Sequence, residues 1–177
     1  MSNTRRRLIT ALGCLLGSFA FVFSPALAAE NPNNSSPGYS VTSFRGDYAV
    51  VGTYGASVAR LIGTYHADGN GNIKGTATVN IPGPGLERVV VSISYQGTYT
   101  MNDDGTGVIY FTVVDPSGAT APATLDFVIA KAEYIRGVKV ATEITSVQRE
   151  PSSVVDGQFV THVSTRRPDT KRDGDGS

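Results

Sequence analysis

Gly63-Thr64-Tyr65-His66-Ala67-Asp68-Gly69-Asn70-Gly71 is a phrase that the chain repeats. Its second statement, Gly97-Thr98-Tyr99-Thr100-Met101-Asn102-Asp103-Asp104-Gly105, begins 34 residues later. The first runs on into Asn72 to Asn80 and the second into Thr106 to Val114. Each copy is an extended run, a turn of Asp, Asn and Gly, and a second extended run. Asp-Gly and Asn-Gly tolerate positive φ at low cost and so suit hairpin turns. The phrase therefore reads as one hairpin used twice in a larger antiparallel sheet.

The same pattern continues on both sides. Phe44 to Tyr54 and Ser57 to His66 read as strands parted by Gly55. In the second, Ala59, Leu61, Gly63 and Tyr65 share one face, and Val58, Arg60, Ile62 and Thr64 the other. Asn72 to Ile81 sets Ile73, Ala77, Val79 and Ile81 against Lys74, Thr76, Thr78 and Asn80, the alternation of a half-buried strand. Pro82-Gly83-Pro84-Gly85 cannot sustain a ladder and reads as a loop. Glu87 to Met101 is a long run with Val89, Val91, Ile93, Tyr95 and Tyr99 on one face and Gly97 at a point where barrel strands bend. Thr106 to Asp115, apolar on both faces, is followed by a turn at Pro116-Ser117-Gly118. Ala123 to Lys131 groups Leu125, Phe127 and Ile129, and Tyr134 to Val147 reads as one strand with Val138, Val140 and Ile144 inward. Pro151-Ser152-Ser153 interrupts the pattern, and Asp156-Gly157 turns into a last strand, Gln158 to Thr165.

The chain has 177 residues, which favours one folded domain. Residues 1–28 read as an export signal: Arg5, Arg6 and Arg7, an apolar run from Leu8 to Phe23, a break at Pro25, and Ala26-Leu27-Ala28 as a cleavage pattern. Thr4-Arg5-Arg6-Arg7-Leu8-Ile9 resembles a twin-arginine signal, with ordinary unfolded secretion as the other route. The mature chain is expected to begin at Ala29 and to lie in the periplasm or outside the cell. Thr10, Gly13, Cys14, Gly17 and Ser18 interrupt the apolar run, so no stable membrane span is expected once the signal is removed. Residues 29–43 read as a flexible lead, 44–165 as the β domain, and 166–177 as a disordered charged tail without an apolar residue.

The signal carries three of the 15 basic residues and none of the 15 acidic ones, leaving 12 basic against 15 acidic, a net charge of −3. That balance argues against a nucleic-acid binder, which would carry a concentrated basic face. The only cysteine, Cys14, leaves with the signal, so the domain must be held by its core alone. A domain of about 150 residues can do so, because it buries roughly 68–70% of its unfolded surface.

No segment has a helical period of useful length, and turn signals follow one another closely. The class is all-β. The arrangement expected is an antiparallel up-and-down β-barrel of about eight strands, since closing the sheet removes exposed edges; a two-sheet β-sandwich is the alternative.

Motifs for chemistry are sparse. Asp68-Gly69-Asn70-Gly71-Asn72 opens like a calcium loop, but Ile73 and Val79 stand where such a loop needs Gly and Glu, so a hairpin turn is the better reading. His66 and His162 are the only histidines, and a metal site would need both to converge with carboxylates; the reading preferred for each is a surface or strand-end position. No Ser lies in a Gly-x-Ser-x-Gly elbow, and a triad of Asp156, His162 and a Ser is unconstrained by spacing. No cofactor signature is present. Arg60 and Arg136 share faces with apolar residues; an inward arginine would pair with Asp126 or Glu133 or meet an anionic ligand, and a solvent-facing strand end is preferred. The tyrosines are the candidate ligand-binding residues: Tyr48, Tyr65, Tyr95, Tyr99 and Tyr110, together with Phe127, would line a lumen with rings and hydroxyls.

The doubled Gly-Thr-Tyr…Asp-x-Gly hairpin behind an export signal resembles a broad set of uncharacterised secreted bacterial β-barrel proteins, over about Gly46 to Val147. That resemblance implies fold and export and transfers no chemistry. Gly46-Asp47-Tyr48 resembles, more distantly, the Gly-x-Trp of lipocalin and calycin barrels, with Tyr48 in place of Trp; the family's implication is a small apolar ligand in the lumen. A weaker likeness to barrel cyclases of the allene oxide cyclase type matches no catalytic residue. The functions in competition are a lumen that binds a small apolar ligand, a structural or interaction module with a filled core and unknown protein partners, a barrel isomerase or cyclase using an inward His66, Asp126 or Arg60, and an outer-membrane barrel.

Overall fold

The computed structural model describes residues 38–55, 58–85, 87–155 and 157–169. The expected signal, residues 29–37 of the lead, Asp156 and the tail from 170 lie outside the described residues. Eight strands follow one another: β1 (Arg45–Tyr54), β2 (Ala59–Asp68), β3 (Asn72–Pro82), β4 (Arg88–Met101), β5 (Thr106–Val114), β6 (Thr120–Ile135), β7 (Val138–Gln148) and β8 (Val160–Arg166). Each pairs antiparallel with the next, and β8 returns to β1 with Tyr48 opposite Arg166 and Tyr54 opposite Val160. The sheet is therefore a closed up-and-down barrel, as the strand pattern predicts, and the sandwich alternative falls away.

Alternation determines what points inward. In β2, Ala59, Leu61, Tyr65 and Ala67 are buried while Arg60, Ile62, Thr64 and His66 are exposed. Burial on the lumen side is possible at this density because small and large residues face each other across strands. Gly107 of β5 stands opposite Phe127 of β6, and the ring lies against the glycine so closely that a Cβ there would overlap it. Gly75 of β3 is opposite Tyr95 of β4, with the ring carbon Cζ 2.8 Å from where a Cβ would sit. A lumen glycine thus gives the neighbouring strand's ring a place to fold over.

The expected strand from Tyr134 to Val147 is in fact the end of β6, a turn and β7. Arg136 and Gly137, with φ of 51° and 78°, form a two-residue hairpin between Ile135 and Val138. Positive φ at both central residues is the hairpin geometry that matches the twist of the flanking strands. An Arg-Gly pair is a weak sequence signal for it. The register shifts around Lys131, and Val140 and Ala141 are both buried just beyond.

The two Asp-rich turns hold themselves. The Asp68 carboxylate accepts from Asn70 N (2.7 Å), Asn72 N (2.9 Å) and Asn72 Nδ2 (2.6 Å). Asp104 accepts from Thr106 N (2.8 Å) and its hydroxyl (2.7 Å). These bonds hold both carboxyls below their usual range. They are turn-forming oxygens, in keeping with the hairpin reading rather than the calcium one.

The lead does not remain loose up to residue 43. Tyr39 N donates to Asp103 O (2.8 Å), the Tyr39 ring lies under Lys139 Nζ (3.8 Å), and Val41–Ser43 form a 3₁₀ turn. This turn delivers Phe44 into the barrel end with no exposed surface. At the far end of the sequence, β8 continues to Arg166, whose Nη2 donates to Asp169 (2.7 Å), while Arg167 N donates to Asp47 O (2.8 Å). The charged tail accordingly begins packed. Among the described residues no helix is long and apolar enough to cross a membrane.

Candidate functional site

The lumen has two unlike halves. In the lower half Phe44 sits at the centre of an aromatic plug. Its ring centroid is 5.3 Å from Tyr48, 5.9 Å from Tyr65, 4.7 Å from Tyr99 and 5.5 Å from Phe127. Two of its hydroxyls are spent on backbone: Tyr99 donates to Phe44 O (2.6 Å) and Tyr48 to Ala141 O (2.9 Å). Burial pushes the pKa of both phenols up, so both stay neutral donors.

The upper half is open. A cavity of about 60 Å³ lies between Leu61, Ile93, Ile109, Leu125 and Ile144. At about 10–15 Å³ for each water, it has room for roughly four to six. Its roof is the connection from β7 to β8, where Ser152 and Val154 face the cavity. That roof is tied down by Ser152: its N donates to Gln158 O (2.7 Å), and its Oγ accepts from Val154 N (3.0 Å) and Val155 N (3.2 Å). The Tyr54 hydroxyl also bonds to it.

One wall is polar. Ser146 and Gln148 of β7 and His162 and Ser164 of β8 line the cavity, with Ser146 directly opposite His162 in the ladder. A hydrogen bond joins Ser146 Oγ to His162 Nδ1 (3.3 Å). Ser164 bonds the hydroxyl of Tyr65. Room for the imidazole comes from Gly52, its partner in β1: a Cβ there would lie 2.6 Å from His162 Cδ2 and 3.1 Å from Nε2. Desolvation pushes the His162 pKa down to about 4, so the ring is neutral at physiological pH.

The candidate ligand-binding residues are thus divided. Tyr65 and Tyr95 line the cavity. Tyr48, Tyr99 and Phe127 belong to the plug, with Tyr65 stacked on Tyr48 at 5.1 Å. Tyr110 points outward and is 49% exposed, because it falls on the solvent phase of β5, between Ile109 and the half-buried Phe111. His162 departs from its expected surface position, whereas His66 is at the surface, bonded to Asp47 (2.9 Å). Asp126 is paired outside the lumen with Arg149 (2.6 Å), not with Arg60 or Arg136; Arg60 is exposed and Arg136 is in the turn. The polar wall was detectable in principle from the alternation Ile144, Ser146, Gln148 and Val160, His162, Ser164. Small polar residues on an inward phase are the signal.

The wall's chemistry is that of hydrogen bonding. Among the described residues no Asp or Glu lines the cavity to orient His162 as a base for Ser146. A histidine held neutral by burial is also a weak base. Among the described residues there is no cluster of three or more His, Cys, Asp or Glu that could hold a metal.

The fold and the site define a closed eight-stranded meander barrel with a plugged lower end and a small, one-sidedly polar cavity above it. Comparison with protein-family models, curated proteins and solved structures finds no match.

Proposed function

We propose that this protein is an exported β-barrel that binds a small, mostly apolar molecule in the upper half of its lumen. The observation that carries the reading is the cavity itself. Protein interiors pack to crystal density with few voids larger than a water, and here about 60 Å³ stays open beside a tightly filled aromatic plug. Its walls are aliphatic on most sides, which suits an apolar body. The lumen is mostly apolar while the outer faces of β3 and β4 carry Lys74, Thr76, Thr78, Ser92 and Ser94, a pattern unlike that of a water-filled membrane barrel. Export is supported by the arginines, apolar run and Ala-x-Ala pattern of residues 1–28.

Crystals of the purified protein under xenon pressure test the binding reading. Density between Leu61, Ile93, Ile109 and Ile144 is the expected result. A lumen that excludes xenon would return the protein to the alternative reading, a structural module with a filled core. Export is checked by fractionating the host and sequencing the mature N-terminus. Ala29 at the start of the chain in the periplasmic or external fraction is expected, and an intact Met1 in the cytoplasm would overturn it.

A further inference from the structure

Two polar groups on the cavity wall have no partner among the described residues. Gln148 is only 7% exposed, and its carboxamide makes no hydrogen bond to any described residue. His162 uses Nδ1 for Ser146, and its Nε2 bonds to no described residue. Yet among the described residues no fully sealed side-chain nitrogen or oxygen lacks a partner. Both groups must therefore keep some open surface, and the space both of them line is the cavity. A buried amide left unpaired is destabilising, and native interiors satisfy such groups with protein, water or ligand. The two lie on one wall. Gln148 is two residues beyond Ser146 on the same face of β7, and Ser146 faces His162. That diagonal relation spans about 7–8 Å between backbones, within reach of two long side chains aimed at one group.

The charge of the occupant follows from the lining. Among the described residues that line the cavity there is no Asp, Glu, Lys or Arg. A carboxylate or an ammonium entering it would lose its hydration with no opposite charge to replace it. We infer that the occupant is an uncharged molecule of about five non-hydrogen atoms, whose hydroxyl or carbonyl group hydrogen-bonds Gln148 and His162 Nε2 while its short aliphatic body lies against Leu61, Ile93 and Ile109. The inference rests on the lumen-binding reading and names the class of ligand.

The test is a titration of the purified protein with 1-butanol, butanone, n-pentane, propionate and n-butylammonium, followed by methyl ¹³C and imidazole ¹⁵N NMR. The alcohol and ketone should move the methyls of Leu61, Ile93 and Ile109 saturably and also move the His162 Nε2 signal. Pentane should move the methyls alone, and the two ions should move neither. Gln148→Leu should weaken 1-butanol about five- to tenfold, the loss of one buried hydrogen bond, and leave n-pentane unchanged or tighter. If pentane and butanol shift Nε2 alike, or if propionate binds as tightly as butanol, the ligand class is overturned while lumen binding stands. If no probe moves any lumen methyl, both fall. The Nε2 shift is read on the unaltered protein, so the outcome does not depend on the variant folding.

Discussion

His162 ties the stability of the fold to pH. Its pKa is about 4 in the fold against an ordinary value of 6.5. Above 6.5 both folded and unfolded chains hold it neutral, and its burial carries no protonation penalty. As pH falls from 6.5 towards 4 the unfolded chain takes up the proton and the native one does not, so stability is lost across that window, by about 3 kcal/mol in total. Urea denaturation at pH 7 and pH 4.5 should show that slope, and His162→Phe should flatten it. A wild-type midpoint that does not move between those pH values would contradict it. Asp68, Asp104 and Asp115, held below the usual carboxylate range by turn hydrogen bonds, act lower on the scale. Their contribution is present above about pH 4 and lost as pH falls further, and it should persist in the His162 variant.

Two elements govern the ends of the barrel. The segment from Tyr39 to Phe44 closes the lower end, and its stability rests on one ring packed among four others. Phe44→Ala should cost about 3–5 kcal/mol, because the surrounding rings cannot collapse into the space. A thermal melt within a degree or two of the parent would show that the plug is dispensable. The β6–β7 turn presents the opposite case. Arg136 carries a Cβ at φ 51°, where asparagine sits more easily. Arg136→Asn should raise stability by about 0.5–1 kcal/mol, measured as an increase in Tm, and a fall would mean that the arginine makes a compensating contact. This turn also marks where reading the sequence fell short. The Asp-Gly and Asn-Gly turns announced themselves, whereas Arg-Gly inside an apolar run, beside an irregular stretch at Lys131, left the strand boundary undetermined.

The molecule as a whole is held by closure. Pairing of β1 with β8 joins the two ends of the described chain and closes the sheet, so that every strand has a neighbour on both sides. With no disulfide available outside the first 28 residues, the seam should open only with the rest of the sheet. Native-state hydrogen exchange should therefore give β8 amides the same maximal protection as those of β3. An earlier, separate exchange phase for β8 would show that the barrel opens along the seam first.

The strands, their inward and outward faces and the number that closes into a ring were written in a period of two and in turn residues, both of them local. Val79 or Ile93 is inward because of its neighbours two places away. Which inward residues would leave space between them was not local. Tyr48, Tyr65, Tyr95 and Tyr99 are alike in the sequence. The plug forms around Phe44, supplied by a segment that read as a flexible lead, and the cavity is left where Gly52, Ser146 and His162 meet across the β7–β8–β1 seam. That meeting joins residues up to 110 positions apart. It depends on barrel register and ring volume, which exist only once the sheet has closed.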